Sequence, residues 1–206
     1  GDYDHDRWPD LFVSNLGGEN RLYRNQRDGT FIDVARKLGV TEPVGSFPAW
    51  FFDADNDGVL DLFVSSYSNQ IEHLAASYLN EPIGLELAKL YRGDGQGGFE
   101  DVTEEWNLTS PTTPMGSNFG DLNGDGFLDF YLGTGDPSYF NFMPNVMYLN
   151  RDGKSFADVT RAGGFGHLQK GHAVVVADPD DDGDQGVLEQ LGGAFPGDKF
   201  FDALYE

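Results

Sequence analysis

Acidic and amide side chains recur at positions 1, 3, 5 and 9 of a nine-residue loop. They are Asp2, Asp4, Asp6 and Asp10; Asp53, Asp55, Asp57 and Asp61; and Asp121, Asn123, Asp125 and Asp129. A degraded fourth copy carries Asp178, Asp180 and Asp182 but has Gly186 at its ninth position. Oxygen donors at alternate positions of a tight loop suit a hard cation that takes about six to eight oxygens, so the expected cofactor is Ca²⁺. The first loop departs from the others by Arg7 where they have Gly, and by the stiff Pro9. The EF-hand shares the 1, 3, 5 pattern, but it needs Glu at position 12 and flanking helices. Position 12 is Val13, Val64 and Leu132 in the first three loops. Glu189 is a formal match in the fourth, and it is the one candidate to replace the absent ninth ligand. The run Ala173-Val-Val-Val-Ala177 before that loop reads as a strand, which argues against an EF-hand.

Each complete loop runs into an apolar, β-rich stretch, so the metal is expected within a sheet and not between helices. Two further landmarks follow each loop. One is an aliphatic-aromatic step at Leu22-Tyr23, Leu90-Tyr91, Met147-Tyr148 and Leu204-Tyr205; the other is Phe-x-Asp-Val at Phe31–Val34, Phe99–Val102 and Phe156–Val159. The tyrosine-to-phenylalanine offset is 8 residues in all three cases, and 22 residues separate that phenylalanine from the next loop. The loop-to-tyrosine distance varies, at 21, 38, 27 and 27 residues. Each repeat therefore has a fixed half and one elastic connection. Repeats of this kind decide the fold. The expected strands are 49–52, 117–120 and 173–177 before the loop and 61–65, 129–133 and 187–191 after it, followed by the Leu-Tyr and Phe-x-Asp-Val strands. The longest elastic segment, 68–89, carries Ile71, Leu74, Ala75, Tyr78 and Leu79 at helical spacing.

Four short strands per repeat predict an all-β fold, a β-propeller of four-stranded antiparallel blades with the calcium loops between strands 1 and 2. Residues 1–206 read as part of one propeller domain, with repeats at about 1–44, 45–112, 113–169 and 170–206. The first repeat lacks strand 1 and the last stops at strand 3, so the expectation is an incomplete set of blades from a longer chain.

The 206 residues include 35 Asp plus Glu against 13 Lys plus Arg, a net charge of −22. That balance argues against nucleic acid and against an anionic membrane surface, both of which need Lys and Arg. With no cysteine, neither a disulfide framework nor a zinc-thiolate site is possible. No apolar run approaches the length of a membrane span.

These residues resemble the FG-GAP or VCBS repeats of integrin-α-like propellers. Within that group they look most like bacterial proteins with an ASPIC/UnbV domain, relatives of cartilage acidic protein. The resemblance rests on the loops at Asp53–Asp61 and Asp121–Asp129, on Leu22–Asn25, on Phe99–Thr103 and on Gly192–Gly197. It implies that the backbone carbonyl at position 7 joins the side chains as a ligand. Those carbonyls belong to Trp8, Val59 and Phe127, with Asp184 in the degraded loop. An ASPIC/UnbV domain would lie beyond Glu206.

In a four-stranded meander the 1–2 and 3–4 turns share one end. The elastic segments 68–89 and 135–145 and the connections 39–47, 107–116 and 163–172 lie at the other. Loops on a rigid scaffold are where binding tends to sit, and Tyr139, Phe140 and Phe142 crowd one of them. His5, His73, His167 and His172 are read as structural, and no nucleophile elbow or P-loop appears. The favoured reading is a secreted or cell-surface calcium-binding propeller, not an enzyme, with a protein or carbohydrate ligand opposite the calcium loops. The alternatives are a subunit of an extracellular assembly, with self-association, and a propeller-fold polysaccharide-active enzyme.

Overall fold

A computed structural model describes residues 1–67, 70–136, 138, 142–193, 195–197 and 199–206. Pro137, Tyr139 and Phe140, expected in a binding loop, lie outside them wholly. The strands form four antiparallel meanders. The first contains β1 (Leu11–Val13), β2 (Arg21–Asn25) and β3 (Phe31–Asp33). The second, third and fourth follow the short helix α1 (Ala35–Leu38). The second sheet contains β4 (Ser46–Phe52), β5 (Asp61–Ser66), β6 (Lys89–Gly93) and β7 (Phe99–Asp101), with helix α2 (Ile71–Tyr78) inserted before β6. The third has β8 (Pro114–Gly120), β9 (Asp129–Thr134), β10 (Val146–Asn150) and β11 (Phe156–Asp158). The fourth has β12 (Gly171–Ala177), β13 (Gly186–Leu191) and β14 (Ala203–Tyr205).

The Phe-x-Asp-Val landmark has a local physical cause. In the first three sheets the aspartate turns back on the chain: Asp33, Asp101 and Asp158 Oδ1 accept the N–H of Ala35, Thr103 and Thr160 at 3.1, 3.1 and 3.0 Å. The following valine continues the ladder, with the N–H of Val34, Val102 and Val159 donating to the carbonyls of Leu22, Leu90 and Met147. Thr103 and Thr160 then accept the N–H of Leu90 and Met147 on their hydroxyls. One helical turn comes next each time, closed by Leu38, Trp106 and Gly163 donating to those valine carbonyls. In the first repeat this turn is α1, too short to leave a period in the sequence.

The strand before each acidic loop starts earlier than its residues predict. β4, β8 and β12 begin at Ser46, Pro114 and Gly171, and the register of each slips within its first residues. The slip falls at the same place in all three repeats. It is a β-bulge, which bends the strand and blurs the alternation that sequence reading uses. The helix in the longest elastic segment is real but covers only Ile71–Tyr78.

The chain folds into two compact units, Gly1–Ser68 with Leu85–Pro111, and Asn69–Gly84 with Thr112–Glu206. In the first unit, Leu22 and Phe12 of the first sheet share a core with Leu62, Val64, Tyr91 and Phe51 of the second. Phe12 meets Phe51 edge-on at 6.4 Å. In the second unit, Tyr131 and Met147 of the third sheet pack on Val174 and Val187 of the fourth. α2 belongs to this unit, where Arg161 lies 4.2 Å above the Tyr78 ring. No helix among the described residues is long and apolar enough to cross a membrane.

Because Leu22 is fully buried where two sheets meet, Leu22→Ala should lower unfolding free energy by about 2–5 kcal/mol. Urea denaturation measures this, and a loss below about 1 kcal/mol would contradict the packing.

Candidate metal centres

The acidic loops fold alike. Positions 4 and 6 take left-handed backbone in every copy: His5 and Arg7, Asn56 and Gly58, Gly124 and Gly126, Asp181 and Gly183. This pair of reversals curls the backbone so that successive N–H groups face inward, a concave anion cradle. The first aspartate fills it. Asp53 Oδ1 accepts Asp57 N–H at 3.1 Å and its Oδ2 accepts Gly58 N–H at 2.9 Å. Asp2, Asp121 and Asp178 repeat this pair of bonds in the other loops. Position 5 then accepts the N–H of position 7: Asp6 from Trp8, Asp57 from Val59, Asp125 from Phe127, and Asp182 from Asp184.

This scaffold gathers the alternate carboxylates. In the loops at Asp2/Asp4/Asp6, Asp53/Asp55/Asp57 and Asp178/Asp180/Asp182, one carboxylate oxygen from each residue lies within 4.8 Å of the others. In the third loop Asn123 supplies an amide, which accepts Asp125 N–H at 3.0 Å and donates to Asp125 Oδ2 at 3.0 Å. Like charges this close raise each other's energy unless a cation sits among them. Burial first, then Asp57, pushes the Asp55 carboxyl above its ordinary value.

The ninth position behaves differently. Asp10, Asp61 and Asp129 are buried, at 4, 2 and 0% exposure, and do not join the triplets. Each bridges the loop to a neighbouring strand. Asp61 Oδ2 accepts Ala54 N–H at 2.8 Å and Oδ1 accepts Gly93 N–H, at the end of β6, at 2.9 Å. Asp129 does the same with Leu122 and Asn150, and Asp10 with Tyr3 and Asn25. Asn25 and Asn150 answer by donating their side-chain amides to the carbonyls of Pro9 and Leu128. Burial pushes Asp61 up to about 7 and Asp129 up to about 6, against the pull of these backbone donors. Asp10 is raised for the same reason.

Two loops depart from this scheme. In the first, Arg24 Nε reaches Asp4 Oδ2 at 2.8 Å and Arg27 Nη2 reaches Asp6 Oδ2 at 2.9 Å. The Arg27 guanidinium holds Asp6 below the usual carboxylate range. Among the described residues no Lys or Arg pairs in this way with the triplets at 53–57 or 178–182. In the fourth loop, a Cβ at Gly186 would lie 2.8 Å from the Tyr205 carbonyl oxygen, so β14 leaves no space for a ninth carboxylate. Its triplet is exposed.

Glu189 does not replace it. It is fully buried in β13, where Oε2 accepts the Tyr131 hydroxyl at 2.9 Å and lies 2.9 Å from His167 Nε2. Residue 189 lies on the face of β13 that packs on the third sheet, an odd step along the strand from Gly186 and so on the other face from the ninth loop position. Asn145 completes the cluster by contacting the His167 ring at 2.9 Å. His5 is exposed in its loop, His73 lies on α2, and His172 lies in β12.

Repeated antiparallel sheets, with acidic hairpins between paired strands of one sheet, define the class of this all-β protein. A family model described as FG-GAP-like repeat matches residues 2–64 and 77–132, more than half of the chain. The chain belongs to the FG-GAP-like repeat family. No curated protein sequence matches it.

Removing the ninth carboxylate leaves two buried N–H groups without acceptors, whereas removing position 3 leaves exposed loop atoms. In EDTA, Asp61→Ala should therefore cost about 2–4 kcal/mol and Asp55→Ala under about 1 kcal/mol, read by urea unfolding. Equal losses would refute the division of roles. Arg7 holds φ 72° with a side chain that disfavours it, so Arg7→Gly should stabilise by about 1 kcal/mol in the same measurement.

Proposed function

We propose that the chain is part of a calcium-stabilised β-propeller that binds a protein or glycan outside the cell or at its surface. The observation that carries the reading is the set of carboxylate triplets with oxygens within 4.8 Å, of which the 53–57 set has no paired cation among the described residues. An all-oxygen donor set of this kind fits a hard cation and suits neither zinc nor copper. Asp53, Asp55, Asp57 and Asp61 would hold one ion, with the Val59 carbonyl. Asp121, Asn123, Asp125, Asp129 and the Phe127 carbonyl would hold another, and Asp2, Asp4, Asp6, Asp10 and the Trp8 carbonyl a third. Arg24 and Arg27 compete with the metal at this third site. The fourth, at Asp178, Asp180, Asp182 and the Asp184 carbonyl, is weakest for want of a ninth carboxylate. Bound calcium neutralises the triplets and locks each hairpin, so its role is structural. Sites of extracellular modules bind calcium at ~0.1–1 mM, which favours a compartment where calcium is that abundant.

The face opposite the loops is the place for a partner. In the first unit, a cavity of about 880 Å³ opens at the far end of the second sheet, lined by Glu42, Leu85, Leu87, Lys89, Asp101 and Thr109 among others. Lys89 is held there by Asp101 at 2.7 Å and Glu42 at 3.7 Å. The acceptor-rich lining suits hydroxyl groups of a glycan or the donors of a basic peptide. Sheets that share cores in pairs support radial packing into blades. The ASPIC/UnbV relationship is proposed on the motifs alone.

The metal reading has a pH signature. Burial raises the folded-state values of Asp61 and Asp129, so the contribution of these two groups to metal-free stability is fullest at low pH and is lost as pH rises through about 6 to 7. Calcium needs these groups ionised. The rise in melting temperature on adding millimolar calcium should thus be larger at pH 8 than at pH 5, and Asp55→Ala should shrink it. A melting curve that ignores calcium and EDTA at both pH values would sink the proposal. A glycan and peptide array in calcium buffer, with turnover monitored, tests the binding half.

A further inference from the structure

Asn123 is the one asparagine in the sequence that a glycine follows, and it stands at position 3 of the third acidic loop. Ahead of glycine an asparagine side chain is open to attack by the next backbone nitrogen, because no Cβ shields that nitrogen. A fold blocks the attack by burying the pair or by engaging the N–H, and here neither block operates. Both residues are exposed. The Gly124 N–H donates to no acceptor among the described residues, although its neighbours Asp125 and Gly126 donate to Asp121. Gly124 holds φ 71°, and a Cβ there would meet nothing within 4 Å. A cavity of about 300 Å³ lies against both residues, with room for water to enter and ammonia to leave. Asn145 and Asn150, by contrast, are fully buried, with their amides donating to backbone carbonyls.

The loop also polarises the amide. Asn123 Oδ1 accepts the Asp125 N–H at 3.0 Å, a donor placed at the oxygen on which negative charge grows during attack at Cγ. On the other side Asn123 Nδ2 donates to Asp125 Oδ2 at 3.0 Å, so the leaving nitrogen is held by a carboxylate. We propose that Asn123–Gly124 is a self-modifying site, where the third loop converts its own amide into a carboxylate. The Gly124 nitrogen bonds to Asn123 Cγ and gives up its proton. The Cγ–Nδ2 bond breaks, and ammonia leaves with that proton, which closes a succinimide ring. Water then opens the ring at one of its two carbonyl carbons. One water is consumed, one ammonia is released and nothing is oxidised or reduced.

Opening at Cγ restores the main chain and leaves an aspartate at position 3, as Asp4 and Asp55 stand in the first two loops. The bond from Nδ2 to Asp125 is then lost, and two carboxylates face each other where an amide had met one. Like charges this close weaken the loop unless a cation joins them. Opening at the backbone carbonyl gives an isoaspartyl link instead, which lengthens the main chain by one carbon and removes the position-3 side chain from the loop. Conversion to aspartate therefore takes the third hairpin from a loop satisfied by its own amide to one that needs a cation. That consequence rests on the metal reading; the amide chemistry does not.

The test incubates the 206-residue chain at pH 8 in EDTA and follows each asparagine by peptide mass, with isoaspartate read by fragmentation. Asn123 should turn acidic while the other asparagines keep their amides. Misplacing a nucleophile costs rate steeply, so Gly124→Ala should slow the conversion at least ~10-fold. Asn123→Gln, whose longer side chain does not close the five-membered ring, should keep its amide. Both substitutions fall in an exposed loop and should leave the circular dichroism of the wild type. Asn123→Asp should melt below the wild type in EDTA and gain more from millimolar calcium. An Asn123 amide that lasts as long as those of the other asparagines overturns the proposal. So does a conversion that Gly124→Ala leaves at the wild-type rate. Calcium in place of EDTA should retard the reaction by holding the Asn123 oxygen. Equal conversion with and without calcium counts against a cation in this loop, and it leaves the amide chemistry supported.

Discussion

A carboxylate held inside the sheet at the base of each acidic hairpin is the constraint on which the repeat depends. Asp10, Asp61 and Asp129 each accept one N–H from the start of their own loop and one from the strand two places on. That single side chain sets the loop, the strand after it and the next strand in one geometry. Leaving either donor unmet in the interior would cost about as much as a lost buried hydrogen bond, so the three elements move together or not at all. Where the later strand ends in asparagine, as at Asn25 and Asn150, the amide returns a bond to the residue before the aspartate and closes the lock from both sides. This explains why the tyrosine-bearing strand keeps its place in the repeat although the connection leading to it varies in length.

The loop thus divides its carboxylates by burial. The ninth is buried and accepts the protein's own backbone N–H groups, and the first, third and fifth face one another at the loop surface. The first repeat answers their repulsion with Arg24 and Arg27, while the 53–57 triplet has no such ion pair among the described residues. The first loop answers the repulsion with arginine, and the proposed cation would answer it in the second. Each burial of an aspartate costs solvation, and the costs appear as the raised Asp61 and Asp129 values.

The legible features of this sequence were the local ones. Alternating aspartates, the fixed spacing and the Phe-x-Asp-Val turns are each made by bonds spanning a few residues, so their residue types record them directly. The bulges at the start of β4, β8 and β12 leave no such record, since a slipped register changes which residues face inward without changing their types. The arginine pairs of the first loop join residues 20 and 21 positions apart, Asp4 to Arg24 and Asp6 to Arg27, a separation that no loop pattern covers. Glu189 was misleading for the same reason. Counted along the chain it fell at a ligand position, but its partners Tyr131 and His167 come from another sheet and a connection.

That glutamate also separates the two sheet-on-sheet cores. It occupies the position that Val64 fills in the second sheet and Leu132 in the third, both aliphatic and buried. A carboxylate there is tolerable only opposite donors, because an unpaired buried charge costs several kcal/mol. Tyr131 and His167 meet Oε2, Oε1 has no hydrogen-bond partner among the described residues, and glycine at 171 clears its space, since a Cβ there would overlap Oε1. Burial and the neighbouring Glu189 charge hold the Tyr131 hydroxyl in its protonated, donating form. The first and second sheets share an apolar core and are tied as well by Ser46 of β4, whose hydroxyl accepts Asn15 N–H at 3.0 Å and donates to Asn20 Oδ1 at 2.5 Å. The third and fourth share the apolar core of Tyr131, Met147, Val174 and Val187 and add the buried contacts of Glu189 with Tyr131 and His167. Chemically different polar partners of this kind suit a chain of near-identical repeats, because apolar faces alone would not distinguish the correct neighbour from another copy of the same sheet.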